Sequence, residues 1–171
     1  MAWKHEMNHD TYETILGRRS VRKFKSDPVS RELLTKLIDA ARLAPSGNNE
    51  QPWEFVVVTD TARRRQFGDL AQYGRFIAQA PACIVVLCRP AKYYLEDGSA
   101  ATTQLMLAAH ALGLATCWVA GDKKDYAARV VELCGAPAEL KLVSLIAVGY
   151  GAETPHPTKR ALDEVAHWEH F

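Results

Sequence analysis

Arg18-Arg-Ser-Val-Arg-Lys-Phe24 places four cations and one hydroxyl within seven residues, directly after a short helical pattern. Arg18 and Arg19 stay charged at any physiological pH, and the Ser20 hydroxyl can donate a hydrogen bond to the same oxygen that they pair with. Such a cluster suits an anion, of which phosphate is the simplest. The same composition also suits a solvated surface run, so the segment alone leaves both readings open.

Upstream, Tyr12, Ile15 and Leu16 are spaced as on one face of a helix, and Gly17 is a natural stop. The basic cluster is therefore predicted to be a loop at a helix exit. Downstream, Asp27-Pro28 marks a turn. Ser30 suits the N-cap of a helix carrying Leu33, Leu34, Leu37, Ile38 and Ala41, expected to end near Ala44-Pro45. Pro45-Ser-Gly-Asn-Asn-Glu-Gln-Pro52 is dense in turn formers and side-chain amides and must be loop.

The rest of the chain alternates strands with helices. Trp53 to Thr59 is β-branched and aromatic enough for a strand buried on both faces. Asp60 or Thr61 caps the next helix, with Ala62, Phe67 and Leu70 inward and Arg63, Arg64 and Arg65 mostly outward. Ala82 to Cys88 is a continuous apolar run, hence a central strand. Tyr93 to Leu112 carries the longest helical pattern, apolar nearly all round in its second half, and Gly113 stops it. A short strand over 115–120, a helix capped by Asp122 and ended by Gly135, a strong strand from Leu140 to Val148 and a short helix from Leu162 to Trp168 complete the prediction.

The whole composition bounds the function classes. A length of 171 residues, 48% hydrophobic and without repeats or linkers, suits a single domain over 1–171. A net charge of +1, with acidic residues between the basic ones, argues against a nucleic-acid partner. No stretch approaches the ~20 apolar residues of a membrane span and the N-terminus has no apolar run, so no membrane association and a cytoplasmic location are expected. The four cysteines lack a Cys-x-x-Cys spacing and are expected to be reduced core residues. His5 and His9 are spaced i, i+4, but no third ligand suggests itself, so no metal is expected.

Three loops share a richness in donors: Arg18 to Arg22, Pro45 to Gln51 and Trp118 to Gly121, with Lys159-Arg160 as a second cationic point. A ligand with an anionic tail and a flat polar head would use all of them. Cations serve a phosphate, amides serve an imide edge, and a backbone N–H serves a ring nitrogen.

Four motifs in order then resemble the FMN-dependent nitroreductase family. They are Arg18 to Phe24, Ala44-Pro-Ser-Gly-Asn-Asn-Glu-Gln-Pro-Trp53, Ala108-Ala-His-Ala-Leu-Gly-Leu-Ala-Thr-Cys-Trp-Val-Ala-Gly121, and Val148-Gly-Tyr-Gly151 with Arg160 downstream. The resemblance implies an α+β fold, an α/β/α sandwich around a central mixed sheet, completed by homodimerisation with FMN at the subunit interface. It implies that Arg18, Ser20 and Arg160 hold the FMN phosphate, with Arg19 beside them. Arg22 would lie near flavin N1, where a cation favours the reduced cofactor. Pro45, Ser46, Asn49 and Gln51 would line and recognise the pyrimidine edge. Val119, Ala120 and Gly121 would follow the ring, a backbone N–H of the last two meeting N5. Many relatives carry Glu where Ala120 stands, but a backbone contact needs no side chain.

The activity so implied is transfer of hydride from NADH or NADPH through FMN to a small acceptor such as a nitroaromatic or quinone, in a ping-pong scheme with no catalytic side chain. Relatives that destroy flavin or dehalogenate reductively, and a flavin-binding interaction protein with little turnover, are the alternative expectations.

Overall fold

The computed structural model describes residues 9–171; His5 of the histidine pair lies outside them. Five α-helices and four β-strands follow in the order α1 (His9–Gly17), α2 (Arg31–Ala41), β1 (Trp53–Val58), α3 (Thr61–Leu70), β2 (Ala82–Cys88), α4 (Tyr94–Ala111), β3 (Ala115–Ala120), α5 (Ala127–Leu133) and β4 (Lys141–Gly149). Local chemistry sets several of these boundaries. The Ser30 hydroxyl accepts the Leu33 N–H at 3.2 Å and the Asp60 carboxylate accepts the Arg63 N–H at 2.9 Å, so α2 and α3 start where their caps dictate. At the end of α4, Gly113 takes φ 76°. The Leu114 N–H returns to the Ala109 carbonyl and the Gly113 N–H to that of His110, the paired bonds that close a helix on a left-handed residue.

The sheet order is β1-β2-β4-β3, with every neighbouring pair antiparallel. The parallel component of the expected mixed sheet is one bridge, Ser20 to Thr116. Period-two alternation sorts the strand residues between two cores. Ile84, Val86, Ile146 and Val148 meet α2 and α4 on one face; Cys83, Val85, Leu145 and Ala147 meet Phe67, Ile77 and Val130 on the other. The register shifts between Val86 and Leu87, a bulge beside which Ser144 bonds Thr102 of α4 at 2.8 Å in the buried interior.

Four expectations are corrected. β1 is an edge strand, with Glu54 and Val57 exposed, because among the described residues no strand pairs beyond it. Arg64 is buried, not outward: its guanidinium donates to the carbonyls of Thr59, Ala78 and Ala80 and to the Thr61 hydroxyl. The chain carries those carbonyls around the helix end, where only a long multidentate donor satisfies them all. Asp122 caps no helix, since α5 begins at Ala127 and the Asp122 carboxylate accepts the Tyr94 hydroxyl at 2.5 Å instead. The C-terminal helix is one 3-10 turn, Leu162–Glu164, whose exposed surroundings provide no face to bury. Among the described residues no helix is long and apolar enough to cross a membrane.

Candidate cofactor site

β3 is the other edge of the sheet, and its free side organises the site. The Gly121 N–H donates to the Val143 carbonyl at 3.0 Å, which makes this pair a bonded rung of the antiparallel ladder. Rungs alternate, so Val119 also bonds toward β4, whereas Thr116, Trp118 and Ala120 direct their N–H and C=O groups outward. The outward Thr116 carbonyl accepts the Val21 N–H at 2.9 Å, which fastens the basic segment along the edge. The outward Ala120 carbonyl accepts the Tyr126 hydroxyl. Of the two residues expected to offer an N–H, Ala120 has it available and Gly121 has spent it within the sheet. Gly121 serves as a close-packed residue instead: a Cβ there would press into Leu142 and lie 3.1 Å from the Val143 carbonyl carbon.

Ser20, through its bridge to Thr116, and Ala120 mark two ends of the β3 edge. At ~3.4 Å per residue, Ala120 lies about 14 Å along β3 from Thr116, the bridge partner of Ser20. At the Ser20 end, Arg18 is half-buried and its Nη1 is buried with no hydrogen-bond partner. Arg18 lines a cavity of about 250 Å³ together with His110 and Thr116. The Cys117 thiol is pushed up by burial and drawn partly back by Arg22, by a hydrogen bond from Ser20, and by Arg18. Toward the Ala120 end, Arg22 lines a cavity of about 460 Å³ with Tyr73, Phe76, Val119, Ala120 and Tyr126. Its guanidinium lies over the Phe76 ring at 5.9 Å, and its backbone N–H donates to Glu153 Oε1 at 2.8 Å.

Not every expected residue joins this groove. Arg19 lines the cavity of Arg18, but its guanidinium turns back to the carbonyls of Leu16 and Arg18, at 2.6 and 2.9 Å, and neutralises the end of α1. Arg160 is held by Glu164, through its carbonyl at 2.5 Å and its carboxylate at 3.6 Å, in the exposed C-terminal segment. Pro45, Ser46, Asn49 and Gln51 lie on the loop that enters β1, and the cavities lined by Arg18 and Arg22 take no residue from it. β1 and β3 are opposite edges of the sheet, separated by three strand spacings or about 14 Å.

Two supports lacked a motif by which the sequence would reveal them. Glu153 accepts the N–H groups of both Arg22 and Lys23, fixing the cationic strip from a position 130 residues away in sequence. Tyr126 braces Ala120 from the next element. The signal for Tyr126 was its closeness to the Trp118 to Gly121 stretch at the end of β3; for Glu153 it was its place just after Gly151.

The donor set fits a phosphorylated flat cofactor. A buried guanidinium nitrogen without a partner is costly, and an anion beside Ser20 would satisfy it. The outward Ala120 N–H, about 14 Å away, fits a ring acceptor at the other end.

A model described as the nitroreductase family matches residues 15–74 and 70–150. A relative from Methanothermobacter thermautotrophicus, provisionally named NADH dehydrogenase/NAD(P)H nitroreductase, is 34% identical and is matched over 85% of this chain and 80% of the relative. The solved structure of an FMN-dependent nitroreductase from Clostridium difficile R20291 superimposes with a TM-score of 0.87 at 29% identity, over 94% of this chain and 99% of that one. An iodotyrosine deiodinase from Nematostella vectensis is 27% identical over 90% of this chain and 73% of its own. The class so defined is that of α+β oxidoreductases with this sheet and helix arrangement. The chain belongs to the nitroreductase family.

Proposed function

We propose that the protein is an FMN-dependent NAD(P)H oxidoreductase that reduces small acceptors such as nitroaromatics and quinones, and that it works as a homodimer. The observation that carries this reading is the outward N–H of Ala120 in the cavity lined by Arg22, with the partnerless nitrogen of Arg18 in a second cavity at the Thr116 end of the same strand. When bound, FMN supplies the redox chemistry, passing hydride from NADH or NADPH to the acceptor. Arg18 and Ser20 hold its phosphate by charge-assisted bonds. Arg22 places positive charge at the ring end, which favours the reduced cofactor. The Ala120 N–H, kept in line by the bond from Tyr126 to its carbonyl, orients the ring and resists its rotation. Phe76 and Val119 give the Arg22 cavity its apolar wall.

The dimer is argued from what one chain leaves undone. Asn49 and Gln51 meet a cofactor lying along β3 only if a second copy brings them. Exposed apolar side chains provide the surface for it: Tyr12, Ile15 and Leu16 on α1, Leu112 at the end of α4, and Leu162 and Trp168 in the C-terminal segment. Packing of that segment on a partner also frees Arg160 to move from Glu164 to a phosphate.

Anaerobic mixing of the FMN-loaded protein with NADH or NADPH tests the reading. Rapid bleaching of the flavin band is expected; a bound flavin that neither nucleotide bleaches would refute the reductase, and a chain that takes up no FMN would refute the cofactor. Reductive dehalogenation is the second reading, favoured by the iodotyrosine deiodinase similarity. Release of iodide from iodotyrosine by the reduced protein would select it.

A further inference from the structure

Asp97, in the first turn of α4, is only 5% exposed. Its Oδ1 accepts the Gly47 N–H at 2.9 Å, while Oδ2 is buried and meets no donor. A half-satisfied buried carboxyl group lowers stability, so its presence at this point in the fold calls for a gain elsewhere.

The gain lies in the loop it holds. Asn48, Asn49 and Gln51 adopt φ values of 50°, 57° and 48°, the left-handed region that residues other than glycine enter reluctantly. The remaining bonds of the loop run within it or to its exit, among them the Asn49 N–H to the Ser46 carbonyl, the Glu50 N–H to the Gly47 carbonyl, the Gln51 N–H to the Ser46 hydroxyl, the Gln51 side-chain amide to the Asn49 carbonyl at 3.3 Å, and Arg89 to the Gln51 carbonyl. The bond to Asp97 ties the strained run to a buried helix. α4 itself packs on all four strands, which makes it a firm base.

We propose that Asp97 is a positioning residue for the cofactor: by holding the Gly47 N–H it fixes the left-handed run that sets the directions of the Asn49 and Gln51 amides. This rests on the FMN reading above. The task needs an acceptor and no charge, so asparagine should perform it with Oδ1 in the same place.

Asp97→Ala and Asp97→Asn are compared with wild type by FMN affinity, by the visible spectrum of bound flavin, and by amide exchange at Gly47 in the FMN-free protein. In Asp97→Ala, FMN binding weakens about tenfold, the flavin band shifts, and Gly47 exchanges about tenfold faster, the size of effect that loss of one buried hydrogen bond brings. Asp97→Asn restores all three. Wild-type affinity and spectrum in Asp97→Ala overturn the proposal, as does an Asp97→Asn variant as impaired as Asp97→Ala. Should Asp97→Ala fail to fold, Asp97→Asn decides: wild-type affinity with Gly47 protected supports the acceptor role, and loss of either overturns it. If the wild type itself takes up no FMN, the flavin reading fails; equal Gly47 exchange in wild type and Asp97→Ala would then also remove the loop tie, and faster exchange in the variant would support it.

Discussion

Replacing Arg18 by alanine separates two consequences of a buried guanidinium nitrogen that has no protein partner. In the cofactor-free chain, Nη1 carries a desolvation cost with no return, so its removal should leave the melting temperature unchanged or raise it. In the loaded chain, the same nitrogen and its neighbours make charge-assisted bonds to a phosphate, worth about 1.5–3 kcal/mol in all, or about 10- to 150-fold in the dissociation constant. Arg18 is half-buried, so screening by water places the result toward the lower end of that range. Quenching of flavin fluorescence measures the affinity, and riboflavin, which lacks the phosphate, is the internal control. Arg18→Ala should weaken FMN and leave riboflavin unchanged. Equal weakening of both ligands, or unchanged FMN affinity, would refute the phosphate assignment; a large fall in the melting temperature of the free protein would show that the guanidinium has a structural partner after all.

Further outcomes follow from the packing around the groove. Gly121→Ala drives a Cβ into buried Leu142, so thermal unfolding should register a loss of about 1–3 kcal/mol from overpacking; an unaltered melting temperature would contradict the close contact. Arg64→Met leaves the carbonyls of Thr59, Ala78 and Ala80 short of a donor and should cost roughly 2–4 kcal/mol in denaturant unfolding, with FMN affinity unaffected because Arg64 lines a different cavity. The hydrogen bond to Asp122, with burial, pushes the Tyr94 phenol up to about 12 from its ordinary value of 10. The folded state thus holds its proton more tightly, so the stabilisation is complete below pH 10 and is lost as the pH climbs through 12. Between those values the melting temperature of wild type should fall more steeply than that of Tyr94→Phe, and parallel curves would remove Tyr94 from the linkage.

Features that depend on neighbours in the chain were legible in the residues themselves. Ser30 and Asp60 cap their helices because the N–H they accept is three residues away. Ala82–Cys88 is a central strand because an unbroken apolar run has no other stable place. The basic segment and the amide loop were recognisable as donor-rich loops, whereas Trp118 to Ala120, grouped with them, belongs to strand β3; the order of the motifs carried the family.

What the tertiary structure decided is which groups of those segments face the same way. Whether Ala120 or Gly121 offers its N–H depends on the register of β3 against β4, which the period of β3 alone leaves undetermined. That the Arg19 guanidinium bonds to the end of α1 while Arg18 keeps a buried nitrogen without a partner depends on where the helix stops and on what packs over it. Arg64 is buried because distant carbonyls converge on it, and Asp97 and Glu153 became visible only as acceptors for backbone N–H groups 50 and 131 residues away. Side-chain type is a property of one residue and short-range pattern a property of a few, so both can be read along the chain. Hydrogen-bond satisfaction belongs to pairs that only folding brings together.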